Sequence, residues 1–442
     1  MPFRGFAVAS AALLVFCHSF GQFSNAERQS IVQFWNQPGR YNVSTLEGES
    51  GSWVVRQTVD GSKWLMQLDK ARGLQKGAHV NRLSEPMENW IEARIAFDKC
   101  RAEMEAESQN GQGHGPYVGR SSAVDPGPTP PPLEEMAGPA PAFVEAVRPQ
   151  KYEVRFDDAL ATYVDEPALD PRGVSFRYAN GVRSSGTKIK DEEMAPLIAA
   201  AGLTDTEARV MQAISPLEGS FDAINTYDTG IVSVGFIQFS CREKGAGSLG
   251  QVLLREKTED PNDFQKDFRA FGVDVDDSGV LDVVDPQTGA EATGPDAAHA
   301  IVDDKRLTAT LQRAGLMSSA FRIAQLQTAK DLYYPASNLI AVPLGDSVAK
   351  VRVGDVVRSE AGLAILMDRK VHRGSLAPLA TVIAAVARDC HADSVDAIAA
   401  HELSIDQAMT YRADFLSNTT LSQPSANTLA VRRSRRRRSA ND

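Results

Sequence analysis

Residues 215–240 read SPLEGSFDAINTYDTGIVSVGFIQFS and carry Glu218, Asp228 and Ser233 among glycines and β-forming residues. Two carboxyl groups and a hydroxyl in this order are the parts required to cleave a glycosidic bond. One carboxyl must be protonated to assist the leaving oxygen, and the other ionised to activate water or attack the sugar. A carboxylic acid stays protonated near neutral pH only where its surroundings raise its pKa. Glu218 is placed for this. The helical spacing of Val210, Met211, Ile214 and Leu217 is cut off by Pro216 and Gly219, and the carboxyl end of a helix carries partial negative charge that disfavours another anion. An apolar cleft adds a desolvation cost in the same direction. Asp228 follows in a polar turn that leads to an apolar strand expected over residues 231–239. Ser233 projects from that strand to hold a water. The competing reading is a surface loop of ordinary solvated acids.

The elements around this stretch follow from local signals. Thr204 and Glu207 have capping-box spacing and start a helix. Further helices are expected over residues 296–314, 320–331, 360–371, 377–390 and 405–415, and residues 271–294 read as a β-meander with acidic turns. Within it, Asp274, Asp276, Ser278, Gly279 and Asp285 fall at calcium-loop positions. The flanks are β-formers and the last ligand is Asp rather than Glu, so a hairpin turn is favoured over a metal site. Asp368 and His372 share one helix face and are candidates for lining a cleft. Asn225, Tyr227, Gly235 and Gln238 are candidates for touching substrate, with Tyr333 and Tyr334 as further stacking platforms. Asp222 is read as a structural acid of its own loop.

The stretch resembles the lysozyme-like glycoside hydrolase superfamily, in its phage-type lysozyme and chitosanase branches. The phage lysozyme order of Glu-Gly, Tyr-x-Asp-Thr and a Thr-x-Gly strand appears here as Glu218-Gly219, Tyr227-Asp228-Thr229 and Ser233-Val234-Gly235. Chitosanases share an Asp followed by Gly and Phe at the intervals of Asp228, Gly235 and Phe239. LAILMDRKVHRG, around Asp368, resembles the Asp-bearing cleft helix of chitosanase-like proteins. The resemblance implies Glu218 as general acid, Asp228 as the base that polarises water, and Ser233 as a helper that positions it. It also implies hydrolysis of a β-1,4-linked amino-sugar polymer, peptidoglycan before chitosan, without cofactor or metal. Serine stands where phage lysozymes have threonine, and the Glu–Asp interval is one residue longer than theirs. A wall-binding protein that kept such a fold without turnover is the reading from another class.

The rest of the chain sets the context. With 442 residues and net charge −10, it is expected to form more than one domain and has no broad basic footprint for nucleic acid. Residues 1–26 look like a signal peptide, with cleavage after Gly21 or Ala26, so a secreted or periplasmic location is expected with no transmembrane segment left. Residues 27–107 hold all four tryptophans and are expected to form a small α+β module, with a hairpin from Trp53 to Leu68 turning at Asp60-Gly61. Residues 108–145 read as a Pro/Gly-rich linker and 146–189 as a connector. Residues 190–418 read as a mostly helical, lysozyme-like domain with a small antiparallel sheet, so the fold class is α+β. Residues 419–442 read as a disordered basic tail with six arginines in its last twelve residues. Cys241 and Cys390 are either a disulfide or free thiols.

Overall fold

The computed structural model describes residues 23–45, 53–73, 83–111, 123–164, 181–228, 230–344 and 347–425. Most of residues 1–26, expected to be a signal peptide, and most of the expected basic tail lie outside these residues. The chain is α+β, 52% helical, with several small antiparallel sheets. None of its described helices is long and apolar enough to cross a membrane.

Two hydrophobic cores divide the chain differently from the sequence expectation. The larger one begins at Phe23 and Trp35 and runs to Leu421. The helix Asn25–Trp35 is capped by Ser24 with Glu27 in a capping box. It buries Ile31 and Trp35 against the body, and the Trp35 indole donates to the Phe271 carbonyl at 3.0 Å. Strand Tyr41–Thr45 pairs antiparallel with Gln150–Arg155, in the register Thr45↔Gln150. Residues 23–45 therefore belong to the large body and not to an N-terminal module. Residues 23–26 are built into it as well: the Phe23 N–H donates to Glu291 at 3.0 Å and its ring lies under Arg269. A cleavage after Ala26 would strip the helix of its cap.

The smaller core gathers Trp64, Leu68, Trp90, Ala102, Leu133, Phe143 and Val144. Its tryptophans are core residues, each burying a large apolar area. The expected hairpin from Trp53 to Leu68 is absent. Strand Val54–Gln57 pairs instead with Val144–Val147, and Asp60 and Gly61 lie in the first turn of the helix Val59–Ala71. Thr58 caps that helix by accepting from the Gly61 N–H at 3.0 Å. Trp64 and Leu68, four residues apart, then share its buried face. Gly61 is required by packing: a methyl there would sit 2.9 Å from the Phe143 Cα.

The described part of the expected linker is also core. Helix Pro131–Ala137 buries Leu133 completely, and the Phe143 N–H donates to buried Asp98 at 2.8 Å. The smaller unit is thus an insertion in a hairpin. It leaves the body after Thr45 and returns at Gln150, where those two residues are cross-strand partners.

In the larger body, the helix Glu360–Arg373 is buried from Glu360 through Asp368 and packs against the helices Asp205–Ile214, Ser319–Tyr333 and Glu402–Met409. Helices Ser319–Tyr333 and Leu379–Cys390 lie where their spacing predicts. The helix expected over 296–314 is two, Gly294–Asp303 and Lys305–Met317, because Asp304 caps the second. The one expected over 405–415 stops at Met409, leaving Tyr411 and Arg412 on irregular chain. The meander forms as Val273–Val275, Leu281–Val284 and Glu291–Thr293. Asp274 is buried against Lys257 and Arg269, and Asp276 accepts from the Ser278 and Val280 N–H groups. These acids serve a hairpin, as expected, but Asp274 and Asp282 are buried where solvated acids were expected. Cys100, Cys241 and Cys390 are free thiols.

Candidate active site

The capping box of Thr204 and Glu207 opens the helix Asp205–Ile214, which buries Val210, Met211 and Ile214. Pro216 cannot continue it, and one 3-10 turn, Ser215–Leu217, brings the chain to Glu218. Gly219 follows at φ +138°, and the Ser215 hydroxyl donates to its carbonyl at 2.8 Å. The helix end thus hangs Glu218 off a fixed bend. Its side chain is only 13% exposed. Burial pushes its carboxyl above the usual range, opposed by the hydrogen bond and charge of Arg412 and reinforced by the charge of Asp368. An apolar cavity of about 530 Å³, lined by Met194, Ile198, Met211, Phe221, Phe236 and Leu326, opens beside Pro216 and Gly219.

Arg412 joins two of the expected residues. Its guanidinium donates to Glu218, and its Nε donates to Asp368 at 3.0 Å. Asp368 is 1% exposed, so removing Arg412 would leave a buried acid without its ion-pair partner. His372, one turn further along the helix, is exposed and lies against the ring of Tyr411, centroids 5.5 Å apart. Asp368 is committed to Arg412, and no cluster among the described residues has the makings of a metal site.

Asp228 sits in a second group. Its Oδ2 accepts from the Asn225 amide at 2.6 Å and its Oδ1 from the Gly230 N–H at 2.8 Å. The Asn225 Oδ1 accepts from the Tyr227 N–H at 3.1 Å, so Asn225 shapes the turn and aims Asp228 rather than facing substrate. Ser233 is buried, in the two-residue strand Ser233–Val234, paired between Asn225 and Ser240. Gly230 lies between acid and hydroxyl: a methyl on it would come 2.5 Å from Ser233 Oγ and 3.0 Å from Asp228 Oδ1.

The continuous strand expected over 231–239 is broken into Ser233–Val234 and Phe239–Ser240. Ile231 and Gln238 have φ of +63° and +53°, conformations that cost energy for any residue with a Cβ, most for a β-branched one. Hydrogen bonds from Ile231 to Asp228, Cys241 to Val232 and Arg242 to Gly230 hold that bend. Gly235, at φ +86°, has a packing reason: Gln325 occupies the place of its side chain and bonds the Phe236 N–H. The Gln238 amide donates to the Gly235 carbonyl at 3.1 Å, and a methyl on Gly219 would sit 3.8 Å from its Nε2. Gln238 thus lies near Gly219, the residue that follows Glu218. Tyr227 packs close to Gly181. Asp222 is buried and accepts from the Thr187 N–H at 2.7 Å, a structural acid as expected. Tyr333 and Tyr334 are half-buried against the large core.

Sequence reasoning missed Arg412 and Tyr411. No local pattern marks them, because they meet Glu218 and the helix Glu360–Arg373 only through the tertiary fold. Comparison with protein-family models, curated proteins and solved structures finds no match to this chain.

Proposed function

We propose that the chain is an exported glycoside hydrolase with a lysozyme-like body, cleaving β-1,4 bonds of an amino-sugar polymer, with peptidoglycan as the leading substrate. One observation carries the reading: a carboxyl at a helix end is desolvated and raised in pKa, and a second carboxylate with a neighbouring hydroxyl is held on the adjoining small sheet. Glu218 donates its proton to the leaving oxygen. Asp228, fixed as an acceptor by Asn225 and Gly230, polarises the attacking water, and Ser233 beside it holds that water. This division of labour between two carboxyl groups is what acid/base hydrolysis of a glycoside requires.

A second reading draws on the ion pair of Glu218 with Arg412. A guanidinium on the acid favours its ionised form, as expected of a wall-binding protein that has lost turnover. Release of reducing ends from purified peptidoglycan and from chitosan separates the readings. Hydrolysis of peptidoglycan that is abolished by Glu218→Gln, with circular dichroism unchanged, is the expected result; general acid–base contributions are about 10²–10⁴-fold. No release from either polymer, or undiminished turnover by Glu218→Gln, overturns the proposal.

A further inference from the structure

The irregular segment carrying Tyr411 and Arg412 crosses the helix Glu360–Arg373 on one broad face. Arg412 reaches Asp368, while the ring of Tyr411 lies under two guanidinium groups, Arg369 at 5.3 Å and Arg373 at 4.9 Å. Asp368 and His372 form one i,i+4 row of that helix, and Arg369 and Arg373 form the next row round. The cationic row is thus continuous with the group holding Glu218.

Among the described residues, these two arginines lack the ion pairs that many others make. Arg369 Nε donates to the Ala377 carbonyl at 2.6 Å, and neither Arg369 nor Arg373 has a carboxylate in ion-pairing reach among the described residues. Arg373 is exposed. By contrast, Arg209, Arg255, Arg269 and Arg313 are each matched to an acid. In a chain of net charge −10, leaving two cations unmatched beside a candidate active site is a local choice that bulk charge hides. Local potential, not net charge, selects a ligand. The Tyr411 ring lies within cation–π reach of both guanidinium groups, whose remaining N–H groups suit a carboxylate.

We infer that Arg369 and Arg373, steadied by Tyr411, form a subsite for carboxylate substituents on the glycan, making the preferred substrate an anionic amino-sugar polymer and disfavouring one that bears free amines. This rests on the glycan-cleaving reading of Glu218 and Asp228 and names the substrate class for that same site.

The test is a binding comparison that does not depend on turnover. The full chain carrying Glu218→Gln is titrated with three oligosaccharides of equal length: N-acetylchitooligosaccharide, its carboxymethylated form and its de-N-acetylated form. The carboxymethylated oligomer is expected to bind best and the de-N-acetylated one worst, with the gap narrowing as salt is raised. Adding Arg369→Ala and Arg373→Ala should weaken the carboxymethylated oligomer by roughly three- to tenfold and leave the neutral one unchanged. Lysine at both positions should restore part of the preference. Equal affinity for the charged and neutral oligomers, or a preference that survives the alanine pair, overturns the inference; the salt series on the Glu218→Gln chain decides even if the alanine pair does not fold. Hydrolysis by the unaltered chain is scored in parallel. Charge preference without hydrolysis sinks the enzyme reading alone, and hydrolysis without charge preference sinks the subsite alone.

Discussion

Replacing Arg412 by glutamine removes the cation that Glu218 and Asp368 share, and its consequences follow from burial. Asp368 is 1% exposed and Arg412 25%, so the pair is closed at the acid end and partly open at the other. Breaking a buried ion pair by deleting one partner costs about 3–5 kcal/mol. The partial exposure of Arg412 and the hydrogen bond that glutamine can keep bring the expected loss to about 2–3 kcal/mol. Urea unfolding followed by circular dichroism measures it. Adding Asp368→Asn should return part of the loss, because the uncompensated charge is then gone, and the coupling between the two sites should be about 1–3 kcal/mol. The pH profile supplies an independent readout. Arg412 holds the Glu218 pKa down against burial and against the charge of Asp368. Without it that pKa rises, the acid stays protonated to higher pH, and the alkaline limb of hydrolysis moves upward. An Arg412→Gln chain with unchanged stability and an unmoved alkaline limb would refute this account of the site.

Three further outcomes are expected. Asp228→Asn should cripple hydrolysis by about 10²-fold or more while folding is retained, whereas Ser233→Ala should cost less, since another group can hold the water in part; reducing-end assays with matched circular dichroism check both. Glu256 is 1% exposed and its pKa is raised to about 9, first by burial and next by the charge of Asp267. Between the ordinary carboxyl range and pH 9 the folded chain holds a proton that the unfolded chain has lost. Stability therefore falls as pH rises through that window, by about 1.4 kcal/mol per pH unit at most. Glu256→Gln should raise the unfolding midpoint at pH 8 and change it little at pH 4; an equal effect at both pH values would contradict the buried protonated acid. Finally, replacing residues 46–149 by a two-residue Asn-Gly turn should close Thr45 and Gln150 into a hairpin and leave the body folded, whereas deleting residues 1–145 should unfold it by removing Trp35 and the Tyr41–Thr45 strand. Proteolytic resistance and near-ultraviolet circular dichroism distinguish the two constructions.

Much of the site's framework was legible in the sequence because it is written within a few residues. The Thr204–Glu207 box, the stop at Pro216 and Gly219 and the face shared by Asp368 and His372 are all set by hydrogen bonds and side-chain spacing inside one or two turns. They fixed where Glu218 hangs and which helix carries Asp368. The 273–293 meander was legible for the same reason. What the tertiary structure alone decided lies between distant segments. Thr58 to Leu68 became a helix although Asp60-Gly61 reads locally as a hairpin turn, because Trp64 and Leu68 find Phe143 and Leu133 far along the chain. The β-forming run after Gly230 broke into two short pieces because Gln325 and the Asp228 turn hold its backbone in a left-handed bend. Arg412 stands 194 residues from Glu218, and an ion pair at that separation has no period and no neighbouring signal to announce it. Local chemistry determined where the acid is placed, and long-range packing determined which cation it meets.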